Sequence, residues 1–348
     1  MSFYEKWRLF LAEGGNVFVG ERVDAIPLEF IEPTLERYYE ELSSLFPMHA
    51  ADFKDFEPLG SVGKKAKSGD IDLAVDVQTL FPKGRGTDED LKSWRLDPAE
   101  WRATYEKMVK RARTATPSEV ELRAFLYELA KYIGDNSQLI KSDLKKVRPG
   151  QMFTLFPQYT DTGEQLEVAV QMDWMMGNRE WLKFSYFSPT PTESQKMLKG
   201  LHRTQLMLAM FGAKGYAFKH VGGVFDKATG KKIAHSPSEA TELLGNLYGT
   251  PITSKILQSF EGIYDWLMTN ASESDRNAAF DSYLLILDRT NGNKEIDPET
   301  GETRRCGYIP AELEDYWLDN YERLGIKGKY LCKSTNDRLR DAIGKITR

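Results

Sequence analysis

The sequence predicts an α+β chain in two parts, a mixed twisted sheet with flanking helices and then a mainly helical C-terminal domain. Three observations carry that expectation. Residues 71–77 alternate, with Ile71, Leu73, Val75 and Val77 on one side and Asp70, Asp72 and Asp76 on the other. Residues 151–175 read as a hairpin, Met152–Phe156 and Leu166–Met175 around Asp161-Thr162-Gly163. From Pro191 onward helical periodicity prevails. The boundary is expected near 185–195, giving domains 1–190 and 191–348.

The elements follow in order. Phe3, Trp7, Phe10 and Leu11 are spaced as one helix face, and Glu13-Gly14-Gly15 ends that helix. A second helix is expected after Pro33, with Leu35, Tyr38, Tyr39, Leu42 and Leu45 on one face. Leu59-Gly60-Ser61 makes a turn before the alternating strand, and residues 79–97 read as a surface loop. Helices are expected near Pro98–Arg113 and Ser118–Ile133, the latter opened by Thr116 or Ser118 as cap beside Pro117. Beyond Pro191 the helical segments lie near 192–211, 237–247, 252–270, 276–288 and 311–323. Ser236-Pro237-Ser238-Glu239 is a helix start, and Val221–Phe225 with Lys231–Ala234 a hairpin.

Composition removes several classes of function. The 348 residues are 41% hydrophobic and 28% charged, as in soluble globular proteins rather than disordered or fibrous ones. Lys+Arg 47 against Asp+Glu 52 excludes a histone-like general binder of nucleic acid. The charge is unevenly placed: residues 1–58 carry 12 acids and 5 bases, whereas 179–232 carry 3 acids and 10 bases. Phosphates, if bound, are therefore expected to meet the middle of the chain. Cys306 and Cys332 are too few for a disulfide framework or a four-thiolate zinc site, and the four histidines have no ligand spacing. No run of about 18 apolar residues occurs and the first ten residues are charged, so neither a membrane span nor a secretory leader is expected. A cytoplasmic setting is the expectation.

The stretch that carries chemistry is Leu59-Gly60-Ser61, eight residues, then Asp70-Ile71-Asp72-Leu73. Two carboxylates at i and i+2 on a strand share a face, roughly 7 Å apart at the backbone. Like charges this close repel unless a cation resides between them, and Mg²⁺ favours hard oxygen ligands while leaving room for phosphate oxygens. Gly60 lets the backbone approach a phosphate, Ser61 offers its N–H and hydroxyl, and Lys64, Lys65 and Lys67 follow in a loop. The plain alternative is a solvated strand face ending at a turn.

These residues resemble the polymerase-β-like nucleotidyltransferase superfamily, of the template-independent type. Its pattern is an apolar residue, Gly, Gly or Ser, a spacer of this length, then Asp-apolar-Asp/Glu-apolar, and Leu59-Gly60-Ser61 with Asp70-Ile71-Asp72-Leu73 meets each position. The resemblance covers about residues 55–190. It implies a nucleotidyltransferase core and a third carboxylate on a later strand, for which Asp173 is the choice and Glu167 the fallback. It implies a two-metal mechanism with Mg²⁺, or Mn²⁺ as a substitute: Asp70 and Asp72 hold the ion carrying the triphosphate and bridge to the second, which Asp173 helps hold. A nucleoside monophosphate would pass from a triphosphate to an acceptor hydroxyl and pyrophosphate would leave. Gly60, Ser61 and Lys64 are then candidates for the nucleotide, joined by Lys196, Lys199 and Arg203 as a cationic helix stripe. A solvated basic face explains that stripe equally well. His202 reads as a packing or surface histidine, and Tyr186 and Phe187 as base-stacking or core residues alike.

The acceptor expected is an RNA or tRNA 3′ end, because the basic middle and Lys141, Lys145, Lys146 and Arg148 offer a cationic tract. A nucleotide second-messenger synthase, or nucleotidylation of a protein or small molecule, is the alternative. A nucleotide-sugar glycosyltransferase also uses Asp-x-Asp, without needing Gly60-Ser61 or a second acidic strand, and a non-catalytic scaffold is the remaining rival. A P-loop is excluded: Pro58 stands at its first glycine position and no Ser/Thr follows Lys64. Oligomeric state, preferred nucleotide and number of additions have no signature.

Overall fold

Strong alternation between apolar and acidic residues builds the centre of the first unit. The structure, a computed structural model, describes residues 18, 21–81, 86–112, 116–189, 200–220, 222–290, 293–296 and 303–332. The helix expected over 2–13 lies outside them, as do Lys196 and Lys199. The chain divides into two units, Met1–Ser185 and Tyr186–Arg348.

In the first unit β1 (Ile26–Pro27) leads into α1 (Leu28–Leu45). α1 starts earlier than its periodicity predicts and carries Pro33 inside it. A proline there removes one helical hydrogen bond, but burial of Ile31, Leu35, Tyr38 and Leu42 holds the extra turn in place. β2 (Glu57–Pro58), β3 (Lys67–Ser68) and β4 (Asp70–Asp76) follow. β4 ends one residue before the expected Val77, because Asp76 accepts a 2.8 Å hydrogen bond from the Gln78 N–H and so caps α2 (Val77–Leu80).

The expected surface loop over 79–97 contains a helix instead, α3 (Asp88–Ser93). Thr87 caps it through the Asp90 N–H, and Leu80, Leu91 and Trp94 are fully buried. That Thr-acid-acid-acid start is a helix signal that the neighbouring Pro and Gly residues obscure. Then come α4 (Pro98–Val109) and α5 (Pro117–Asn136), which Thr116 and Glu119 open as a reciprocal capping box. β5 (Lys141–Ser142), β6 (Gln151–Tyr159), β7 (Gln165–Gly177) and α6 (Arg179–Ser185) complete the unit.

The sheet order is β2-β4-β7-β6-β5. β4 and β7 run parallel and the other pairs antiparallel, so the sheet is mixed. One face carries Ile71, Leu73, Val75, Thr154, Phe156, Met172 and Trp174, buried beneath α1 and α5 in a single core. The other carries Asp70, Asp72, Gln171 and Asp173.

The second unit contains α7 (Gly200–Ala213), β8 (Tyr216–Lys219), β9 (Gly223–Asp226), β10 (Lys232–Ala234), α8 (Pro237–Tyr248), α9 (Phe260–Asn270) and α10 (Glu273–Thr290). β11 (Asn293–Ile296), β12 (Thr303–Ile309), α11 (Glu314–Asn320) and β13 (Lys329–Cys332) follow. β8–β10 form one three-stranded sheet and β11–β13 another. The second sheet and β8 have no counterpart in the expected elements; β8, β11 and β13 have four residues each, too few for alternation to declare them. Ser236 caps α8 as expected, and Gly249, at φ 71, ends it. The chain is thus α+β with a mixed sheet. Among the described residues no helix is long and apolar enough to cross a membrane.

Candidate active site

The parallel register of β4 and β7 sets Asp70 beside Gln171 and Asp72 beside Asp173. Adjacent strands lie about 4.8 Å apart, and alternate residues on a strand roughly 7 Å apart. Asp70, Asp72 and Asp173 are therefore three corners of one small rectangle, with Gln171 at the fourth. Glu167, the fallback, lies elsewhere: its side chain is 94% exposed and meets Arg22 at 3.4 Å. Six residues of strand separate it from Asp173, about 20 Å.

The glycine-serine turn is tied to the same corner. The Leu59 N–H donates to the Asp72 carbonyl at 2.8 Å, so Gly60 and Ser61 leave the sheet beside the second aspartate. Gly60 has φ 64 and Gly63 φ 73, left-handed values that favour glycine. The Lys64 N–H closes the turn on the Ser61 carbonyl at 3.1 Å. Partial burial holds the Lys64 ammonium below its ordinary value. Lys67 belongs to β3, which pairs with β1, so the basic loop is anchored at its far end.

The electrostatics of the rectangle are unusual. Burial pushes the Asp72 carboxyl up to about 8, and the Asp70 charge adds to the rise. Burial also raises Asp173 well above the carboxylate range, with Asp72 and then Asp70 contributing, while a hydrogen bond from Gln171 opposes them. That bond runs from Gln171 Nε2 to Asp173 Oδ1 at 2.8 Å. Carboxyls raised by desolvation and by one another are those a divalent cation would ionise.

Among the described residues no three His, Cys, Asp or Glu side chains close into a ready-made metal cage. The three aspartates share a face without gathering about one point, as mutual repulsion dictates. Such an open oxygen-only set fits Mg²⁺, which takes one or two carboxylates and completes its octahedron with phosphate oxygens and water.

Arg203 departs from expectation. It is 1% exposed, donates from Nε to the Leu257 carbonyl at 2.6 Å, and lies 5.8 Å from the Phe187 ring centre. Residues 202–207 of α7 are all buried, so that turn of the helix has no open basic face, and its placement gives no support to a phosphate-binding role for Arg203. His202 is buried with Nδ1 2.7 Å from the Tyr283 hydroxyl, and Tyr186 packs against His220. Sequence reasoning set Gln171 on the acidic face but gave it no part; its position two residues before Asp173, on the same side, was the available signal.

A row outside this site imitates a charge relay. His49 Nδ1 lies 2.8 Å from Asp52 Oδ2, and its Nε2 3.0 Å from Ser93 Oγ. The Ser93 hydroxyl donates to the Asp90 carbonyl at 2.7 Å, and the imidazole is buried flat against Trp94 at 3.7 Å. With the hydroxyl proton already committed, the row acts as a clamp on α3.

No family model matches the chain, and no curated protein does. Among solved structures it is similar to two ternary complexes of Leishmania infantum polymerase beta, one primer–template ("P/T") and one gap complex. Each is 14% identical over 72% of this chain with a TM-score of 0.32, covering 76% and 70% of the respective polymerase chains. At that identity and superposition, the reading of the site stands on its own residues.

Proposed function

We propose that the chain is a nucleotidyltransferase, moving a nucleoside monophosphate from a triphosphate to an acceptor hydroxyl. The observation that carries this is the set Asp70, Asp72 and Asp173 on one face of two adjacent strands beside the Gly60-Ser61 turn, with Asp72 and Asp173 raised by burial and by their acidic neighbours.

Asp70 and Asp72 would hold one Mg²⁺, or Mn²⁺ in its place, and Asp173 would help hold a second that they also reach. When bound, the cation neutralises triphosphate charge and stabilises the attacking and leaving oxygens. Gly60 and Ser61 bind the phosphates through backbone N–H groups and the hydroxyl, with Lys64 as a nearby cation. Lys196 and Lys199 remain proposed as further cations. The acceptor oxygen bonds to the α-phosphorus, the α–β bridging P–O bond breaks, and pyrophosphate departs with its electron pair. Ionised Asp173 receives the hydroxyl proton. Positioning and charge neutralisation do most of the work.

For the acceptor we propose an RNA or tRNA 3′ end. Lys145, Lys146 and Arg148 are exposed at the connection between β5 and β6, where the Asp143 N–H meets the Phe153 carbonyl and Phe153 pairs with Asp173. Three strand spacings, about 14 Å, separate that connection from Asp72.

The test incubates the protein with Mg²⁺, each α-labelled triphosphate in turn, and total RNA. Labelled RNA is the expected product. Labelled oligonucleotides without RNA would shift the reading to a second-messenger synthase, and labelled protein to protein nucleotidylation. Sugar transfer from a nucleotide sugar would replace it with a glycosyltransferase. No metal-dependent turnover would leave a scaffold.

A further inference from the structure

Gln171 is the neutral corner of the acidic rectangle, and its side chain has one clear task. It is 3% exposed, and its Nε2 donates to Asp173 Oδ1 at 2.8 Å. The bond uses one carboxylate oxygen and fixes the rotation of the group about its Cβ–Cγ bond. Among the described residues no donor reaches Oδ2. Directly across the strand pair stands Asp70, so a carboxylate at position 171 would bring a fourth negative charge within one strand spacing of the first. An amide of this length satisfies both needs, donating a proton to Asp173 and adding no charge. Nothing on the opposite face does this: Trp174 donates to the Tyr38 hydroxyl and Thr154 meets the same hydroxyl, both at 2.7 Å, bracing the strands from behind.

We propose that Gln171 is a positioning residue for metal binding, orienting Asp173 so that its Oδ2 is the oxygen offered to a divalent cation shared with Asp72. This rests on the proposed nucleotidyltransferase site. Partners that orient a metal ligand typically contribute tenfold to a hundredfold in affinity.

The test titrates Mn²⁺ into the full chain, reading free Mn²⁺ by its electron paramagnetic resonance signal, for wild type, Gln171→Met, Gln171→Asn and Asp72→Asn. Gln171→Met keeps the length and removes the donor; Gln171→Asn keeps the amide but falls one methylene short. Expected are loss of high-affinity Mn²⁺ in Asp72→Asn and about tenfold weaker binding in both Gln171 variants. Their metal-dependent pyrophosphate release should recover as Mn²⁺ is raised, which a merely structural role would not produce. Wild-type affinity in either folded Gln171 variant, beside a clear loss in Asp72→Asn, would overturn the role of Gln171 alone. Equal binding by wild type and Asp72→Asn would overturn the site itself, and this inference with it.

Discussion

Both units bury charge, in opposite company. In the first, Asp70, Asp72 and Asp173 crowd one face of β4 and β7; burial raises the proton affinity of Asp72 and Asp173, the Asp70 charge adds to both, and Asp72 adds to Asp173. In the second, Arg203 is buried against the Leu257 carbonyl and the Phe187 ring, and burial lowers it to about 10. A fixed acceptor and a π-face take the guanidinium into the packing. On β4 and β7 the neighbours are instead like in charge, the arrangement for which a cation is proposed.

The strongest way to break this contrast is Asp72→Asn. Transfer should fall about a thousandfold, as when a group stabilising transition-state charge is lost. The melting temperature should stay level or rise, because repulsion is relieved. Pyrophosphate release and a thermal melt read both, and retained activity would sink the site.

Arg203→Met should do the reverse. Loss of the Nε donor leaves the Leu257 carbonyl unsatisfied, costing about 2–3 kcal/mol of stability, with the KM for triphosphate unchanged in the folded fraction. A raised KM at wild-type stability would restore Arg203 to the nucleotide site.

Metal itself sharpens the comparison. Saturating Mg²⁺ with a triphosphate at about 100 times Kd should stabilise wild type by about 3 kcal/mol. Asp72→Asn should gain nothing, and chelation should return wild type to its starting melting temperature.

A further expected effect is on pH. Burial, aided by the Arg203 charge, lowers His220 to about 4 from 6.5. The unfolded chain therefore binds the extra proton first as the medium is acidified. The contribution is complete above 6.5 and drains away down to about 4, on the order of 3 kcal/mol in all. Denaturant melts of His220→Leu should show a shallower loss across that window than wild type.

Elements with a strong local signature were legible. β4 declared itself because an apolar row alternates with an acidic row broken only at Ala74, and α5 and α8 because Thr116 and Ser236 stand before Pro and three residues ahead of Glu. Elements that depend on distant packing were not. Pro33 argued for a boundary that the burial of Ile31 overrides, and Pro82 and Gly86 hid the helix after Thr87. Within the candidate site, the aspartates and the turn could be named from spacing. The bond from Gln171 to Asp173 had only the i, i+2 spacing to announce it, because a glutamine carries no charge pattern to draw the eye. The face of Arg203 was misjudged because a turn buried on all sides has no polar face for periodicity to find.

The parallel pairing of β4 with β7 has a consequence for how the chain reaches its native state. Asp72 and Asp173 are neighbours in the sheet but about a hundred residues apart in sequence, and parallel strands join only through a crossover. The segment between them holds α2 to α5, β5 and β6, so this contact closes a long loop and is expected late in folding. The electrostatic penalty is thus deferred to a late closing step, where divalent ions in the refolding buffer should quicken the final docking of the strands.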